Sequence, residues 1–444
     1  MVTMKRSFLL AALFATGSLN MHAQWEASGI LAITNHFNAC AFHQVDTGLF
    51  VYGANNPGPS PSATEGGILR TIDGANSEGG YIWYQPSMFL EDIDVKVAGG
   101  KPWYIAAGHE LYNRSVVVRK TLGSPNPLQF DSVRTGVGRH YRAVRMRNDL
   151  VAFAAGGNSA GDGIIDMSLD TGSTWANIAV LPGQPVSRLH FVNDQLAFAV
   201  TGGYSRLFNN GLLQPDSGAI YRSTNGGMDW EQVHASTITG FSDVEFLSAD
   251  IGVATRSDGA ILRTTDGGDT WTPATVVLAG SFVLTSVVFR DDGVGFASAY
   301  RADGTEGIIL SSIDGGANWG FNYSTAGMNG ARRIYDLYFF DNAHGYASAH
   351  WKPLVTQGLV TSVPQQDAVR FELFPNPSAN LVTLRTTDDI GLPVELIDAM
   401  GRVVLRTSTA GRETQIDLID LAPGLYMVRI GAGRELRMLS LLHQ

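Results

Sequence analysis

Ser312-Ile313-Asp314-Gly315-Gly316-Ala317-Asn318-Trp319 decides the reading of this chain, because it recurs. The same grammar, Ser/Thr-x-Asp/Asn-x-Gly-x-x-Trp, returns at Ser168 to Trp175, Ser223 to Trp230 and Thr264 to Trp271. The four tryptophans, Trp175, Trp230, Trp271 and Trp319, lie 55, 41 and 48 residues apart. Self-similarity at a period of about 40–50 residues is the mark of a propeller or another stacked array. Each copy reads as a hairpin turn. Asp170, Asn225, Asp266 and Asp314 are placed to accept backbone N–H groups across the turn. The glycine supplies a positive φ without a Cβ clash, and the tryptophan is a large apolar body to pack between sheets.

Outward from these copies, seven versions of one longer phrase run from Trp25 to Val363. A short apolar strand leads to a turn, then to a strand rich in Ala and Val, then to a strand that enters the octapeptide. The phrases start near Phe37, Leu90, Tyr141, Val186, Phe241, Leu284 and Arg333. The first keeps a broken octapeptide, Thr71-Ile72-Asp73-Gly74-Ala75, with Trp83 displaced by an insertion. The second has lost it, and the seventh has no tryptophan of its own. Trp25-Glu26-Ala27-Ser28-Gly29-Ile30 resembles the segment that normally comes after an octapeptide, so the N-terminal strand is expected to complete the seventh blade and close the ring. Roughly 48 residues per phrase is the size of a four-stranded blade.

The octapeptide resembles the Asp-box, or bacterial neuraminidase repeat. In that family the box is a folding element on the rim, away from the active face. Sialidase-like members have six blades and photosystem-assembly-factor-like members seven. The expected fold is therefore all-β: a seven-bladed β-propeller over 24–363, with six blades as the alternative, followed by a small C-terminal β-sandwich.

Composition agrees. The 444 residues include 51 glycines, and only 16% are charged, which suits many short strands joined by tight turns. The net charge of −10 and the lack of a basic run speak against nucleic acid as a partner. The single cysteine, Cys40, sits in an apolar strand and reads as a buried thiol, so the core alone must hold the fold. Residues 1–23 read as a secretory signal: Lys5 and Arg6 precede an apolar run from Phe8 to Ala15 that is too short to span a bilayer. No later stretch reaches 18 apolar residues, so no transmembrane segment is expected after signal removal.

After a linker at 364–370 the grammar changes. Residues 371–444 hold short alternating strands and no box. Phe374-Pro375-Asn376-Pro377, the run Leu396 to Val404 with Asp398, Gly401 and Arg402, and the run Ile416 to Val428 with Gly424 and Tyr426 stand in order. This tail resembles the C-terminal sorting domain of the type IX secretion system of Bacteroidota. It departs only in its ending, which lacks the lysine-rich finish of many members. The resemblance implies passage through the periplasm, recognition by the outer-membrane translocon, and release or anchoring at the cell surface.

Chemistry, if present, belongs at the mouth of the central channel. Aligning the phrases puts Ala39, Asp92, Arg142, Arg188, Asp243, Ser286 and Asp336 at one position, with Arg332 and Arg333 nearby. Arginines there suit a carboxylate or phosphate; alternatively these charges pair and close the channel. A sialidase clamp drawn from Arg142, Arg188 and Arg332 or Arg333 lacks the family's early Arg-Ile-Pro or Arg-Leu-Pro motif. The ten histidines show no metal-binding spacing, and the loops Asp303–Glu306 and Asn158–Gly163 lack the ligand count of a Ca²⁺ loop. We therefore expect no catalytic set, metal or cofactor, and a binding module for a glycan or surface protein, with a glycan-active hydrolase or a structural adhesion component as alternatives.

Overall fold

The computed structural model describes residues 25–30, 36–53, 65–77, 80–86, 88–98, 101–110, 114–120, 129–148, 150–203, 217–326, 328, 333–356, 372–375, 378–386, 391–398, 402–430 and 437–443. The signal segment and the linker lie outside these residues, as do Arg332, Asn376, Pro377 and Gly401. Among the described residues there is no helix, and the chain divides into two compact units, Met1–Leu359 and Val360–Gln444.

The first unit is a propeller. Its described strands gather into seven sheets, each built on four antiparallel strands. The innermost strands are Phe37–Phe42, Met88–Ala98, Arg139–Met146, Val186–Phe191, Phe241–Phe246, Phe282–Phe289 and Ile334–Phe339. We number the blades one to seven in that order. Each innermost strand neighbours the next, and the seventh returns to the first. Blade seven is completed by the N-terminal strand: Trp25, Glu26 and Ala27 pair with Thr356, Val355 and Leu354. Blade six takes a fifth strand, Thr275–Val277, parallel to Asn318–Ser324.

The stabilising core is not one mass but a layer between each pair of neighbouring sheets. Ala39, Val51 and Ile68 of blade one meet Leu90, Ala106 and Val118 of blade two. Phe198 and Val200 of blade four meet Phe241, Val244 and Trp271 of blade five. Phe50 and Leu69 of blade one meet Tyr346 and Val355 of blade seven, so the ring closes on apolar contact as well as on hydrogen bonds. Small residues set the spacing: a Cβ on Gly66 of blade one would lie 2.1 Å from the Met88 carbonyl oxygen of blade two.

The boxes are hydrogen-bonded knots. In blade three the Ser168 hydroxyl donates to Asp170 Oδ1 (2.8 Å) and accepts from Gly172 N (2.9 Å), while Asp170 Oδ1 accepts from Ser173 N and Thr174 N. The indole of Trp175 donates to the Gly172 carbonyl at 3.0 Å, and Trp230 and Trp319 repeat this with Gly227 and Gly316. Bonds from Thr270 and Thr264 hold the Asp266 carboxyl down at about 2. The broken box of blade one keeps the same knot: Thr71 Oγ1 donates to Asp73 Oδ1 and accepts from Ala75 N. Ala75 takes the positive φ of 65° that glycine takes elsewhere. Loss of the tryptophan therefore did not cost this turn its bonding.

The second unit is a two-sheet sandwich. One sheet joins Glu372–Phe374, Leu381–Arg385 and Glu413–Asp417; the other joins Val403–Ser408, Pro393–Ile397, Gly424–Ile430 and Arg437–His443. Val382, Leu384, Val394, Leu396, Ile416 and Val428 fill its own core. The sorting-motif residues fix its turns. Asp398 Oδ1 accepts from Arg402 N and Oδ2 from Arg402 Nε, both at 2.9 Å, and the Tyr426 hydroxyl donates to the Ala422 carbonyl at 2.6 Å. Gly424 opens the strand that carries Tyr426, and Pro375 closes the short first strand.

Candidate binding site at the propeller axis

Every innermost strand carries a bulge near its start. The register shifts between Phe37 and Ala39, Leu90 and Asp92, Tyr141 and Ala143, Val186 and Arg188, Phe241 and Asp243, Leu284 and Ser286, and Ile334 and Asp336. The bulge leaves one residue out of the ladder and turns the next toward a new direction. The aligned position is thus occupied by Ala39, Asp92, Ala143, Arg188, Asp243, Ser286 and Asp336. Arg142 is the correction: it is the bulged residue of blade three, equivalent to Asn38, Glu91 and Tyr335, and Ala143 takes the ring place. Its guanidinium is buried, pushed down to about 10 by that burial, and lies 3.5 Å from the Gly203 carbonyl of blade four. Arg333 stands apart, its guanidinium over the ring of Tyr300 at 4.9 Å.

The ring charges meet across the axis. Arg188 of blade four reaches Asp92 Oδ1 of blade two at 3.1 Å and Asp336 Oδ1 of blade seven at 3.0 Å. Arg145 of blade three pairs with Asp92 Oδ2 at 2.5 Å, and the Ser286 hydroxyl donates to Asp336 Oδ1 at 3.0 Å. Arg188, Asp92 and Asp243 are 5%, 1% and 6% exposed, so this network is desolvated and sits where charge interactions are strong.

The carboxylates have a second task. An innermost strand has no neighbour on its axial side, and buried N–H groups left there are costly. Asp92 Oδ2 accepts from Val144 N of blade three (2.9 Å), and Asp94 Oδ2 accepts from Met146 N (2.7 Å). Asp243 Oδ2 likewise accepts from Val287 N of blade six (3.0 Å). At the bulges the sense reverses: Asn38 Nδ2 donates to the Leu90 carbonyl of blade two and the Thr285 hydroxyl to the Ile334 carbonyl of blade seven. Side chains of one blade thus satisfy the open edge of the next.

Reading the sequence missed Asp94 and Arg145. Both stand two residues beyond the ring position on their strands, and the period of two places them on the same face. Of the loops considered for Ca²⁺, Asp303 Oδ1 is taken up by Thr305, and Glu306 by Arg301 and Ser324. Asn158 Oδ1 accepts from Ala160 N and Asp162 N. Cys40 is buried, and burial raises its thiol well above the usual range.

Four carboxylates (Asp92, Asp94, Asp243 and Asp336) share this region with two guanidiniums, Arg145 and Arg188. Burial pushes the Asp336 carboxyl up to about 6; Arg188 opposes this, while Asp92 and Asp243 add to it. A carboxyl raised above its unfolded value of about 3.9 contributes stability below that pH and loses it as pH rises through the folded value. Between pH 4.5 and 7 the wild-type chain should therefore lose stability relative to Asp336→Asn, by about 2 kcal/mol. Denaturant midpoints of both proteins at the two pH values check this; parallel curves would contradict it. The box carboxylates act with the opposite sign, but below this window.

Residues 372–440 match the family described as the secretion system C-terminal sorting domain. Residues 228–321, which span boxes five and six, match the photosynthesis system II assembly factor YCF48 family. A search of curated protein sequences finds no match. Among solved structures, YCF48 from Cyanidioschyzon merolae is similar at a TM-score of 0.51 and 16% identity, over 75% of this chain and 98% of that one. PorZ, a bacterial surface component of the type-IX secretion system of Porphyromonas gingivalis, is similar at 0.47 and 14%, over 92% of this chain and 59% of that one. The fold is that of a propeller, and no helix among the described residues is long and apolar enough to cross a membrane. The chain is a repeat propeller carrying a C-terminal sorting domain that directs it through the type IX secretion system to the cell surface.

Proposed function

We propose that this chain is a cell-surface interaction module whose propeller holds a protein partner on its outer faces. It enters the periplasm by its N-terminal signal and leaves by its tail. The observation that carries the reading is the bridging of the axis by Arg188. A sialidase-like clamp needs guanidiniums open to a substrate carboxylate. Here both terminal nitrogens of Arg188 already face Asp92 and Asp336, Arg142 is buried at a bulge, and Arg333 lies on Tyr300. The axial charges serve the ring itself, which supports a binding role elsewhere over hydrolysis at the axis. The repeat family matched over residues 228–321 is named for an assembly factor, and from it we carry over only assembly through protein contact.

The test sets two assays side by side. Immobilised full-length chain is exposed to surface and outer-membrane protein from a producing bacterium, and soluble chain is applied to a glycan array with hydrolysis monitored. Saturable retention of a defined protein with a blank array is the expected result. Array binding lost in a channel variant, or sugar release, would replace this reading with the glycan one.

A further inference from the structure

At three blade junctions an arginine from one blade serves the box of the next. Arg222 Nη1 of blade four donates to the carbonyl of Gly267, the first glycine of box five, at 3.2 Å. Arg263 Nε of blade five donates to that of Gly315 in box six at 2.8 Å. Blade three has Met167 at this position, and Arg147 from its neighbouring turn donates to Gly226 in box four at 2.8 Å. At the junction of blades two and three, Arg119 lines a remnant cavity of about 10 Å³ beside Thr171, which stands where the other boxes have that glycine.

The strand pairing identifies the equivalent residue in blade seven. Arg119, Arg222 and Arg263 lie opposite Ile105, Phe198 and Val253 on the second strand of their blades. The residue opposite the corresponding Tyr346 is Val355. Blade seven therefore brings no cation from this position to the box of blade one. In its place is a cavity of about 350 Å³, lined by Glu26, Asp46, Asp73, Gly74, Tyr346 and Val355. That volume lies within the ~300–1,000 Å³ range of ligand sites. Gly74 has the φ of 68° seen at Gly267 (69°) and Gly315 (67°), so its peptide has the shape that elsewhere receives a guanidinium. His344, also on the wall, is engaged through Nδ1 with Asp341 at 2.8 Å. Asp46 and Asn76 are exposed, so the cavity meets solvent.

We propose that the junction of blades seven and one is a receptor for an arginine side chain of a partner protein, which takes the place of the guanidinium that this junction lacks. The proposal rests on the interaction reading above and gives it an address. A planar fork of donors suits a peptide carbonyl flanked by carboxylates, and lysine, a point donor, fits it less well.

The probe is acetyl-Gly-Arg-Gly-amide, titrated calorimetrically into the full chain beside its citrulline and lysine counterparts. The arginine peptide should bind, and the uncharged citrulline peptide should bind at least about tenfold more weakly, the factor that ~1.4 kcal/mol gives. Val355→Arg supplies the guanidinium from within and should weaken the arginine peptide at least about tenfold. Val355 is buried, so the double variant Glu26→Gln/Asp46→Asn, which keeps the packing, should weaken it as well. No binding, equal binding of citrulline, or unchanged binding in the folded double variant would overturn the proposal. Retention of a surface protein that is indifferent to Val355→Arg and to the double variant would sink this site and leave the interaction reading standing. Loss of both binding and retention in the wild-type chain would remove the two together.

Discussion

Arg188→Met should destabilise the propeller by about 3–5 kcal/mol at pH 7.5, the usual cost of breaking a buried ion pair from one side. Arg188 faces both Asp92 and Asp336, and it reaches them from a blade adjacent to neither. Methionine keeps much of the stem but leaves two desolvated carboxylates facing each other. Asp336, already raised to about 6, would then take up a proton more readily. The deficit should therefore shrink as pH falls toward 5. The double variant Arg188→Met/Asp336→Asn should lose less than the sum of the single losses, because the two act through one contact. Denaturant unfolding at several pH values reads all three. A loss under about 1 kcal/mol, typical of exposed pairs, would show that water reaches the axis and that the network does not seal it.

Removing residues 372–444 should abolish surface delivery and leave folded propeller in the periplasm. The tail has its own core, built from Val382, Leu396, Ile416 and Val428, and the propeller's layers draw on residues before 357. The deletion therefore removes none of the described residues of these layers. Cell fractionation combined with protease accessibility on intact cells separates the outcomes. A degraded periplasmic fragment would mean that the propeller needs the tail to fold. Surface exposure without the tail would overturn the sorting assignment.

Much of the fold was legible because its signals are local. A box fixes its turn with its own serine and aspartate, so eight residues suffice to recognise it. The pairing of Trp25–Ala27 with Leu354–Thr356 was readable because the N-terminal segment resembles the strand that comes after a box in the other blades. The site was less legible because a bulge adds a residue without marking it. Counting two residues on from the apolar anchor gives the ring position in every blade, and at Tyr141 that count reaches Ala143, not Arg142. Nor does one chain segment reveal that Asp94 will accept from Met146 or that Arg188 will span to Asp336, since those contacts exist only once separate blades are brought round the axis. The vacant arginine position at Val355 emerged only when strand pairing supplied a register that the sequence phrase, degenerate in blade seven, does not hold.

The strand Trp25–Ala27 has a consequence for the order of events in export. Its partner, Leu354–Thr356, is the last strand of the propeller to be made, so Trp25–Ala27 wait for some 330 other residues before they can pair. Such long-range closure is slow compared with local hairpins, and until it happens blade seven has an unpaired edge open to other strands. The sorting domain lies just beyond that closing strand in the chain. A chain interrupted anywhere before residue 354 lacks both the latch and the address. Completing the ring and becoming eligible for the outer-membrane gate are thus tied to the same end of the polypeptide, and this arrangement admits to the surface only chains that have been finished.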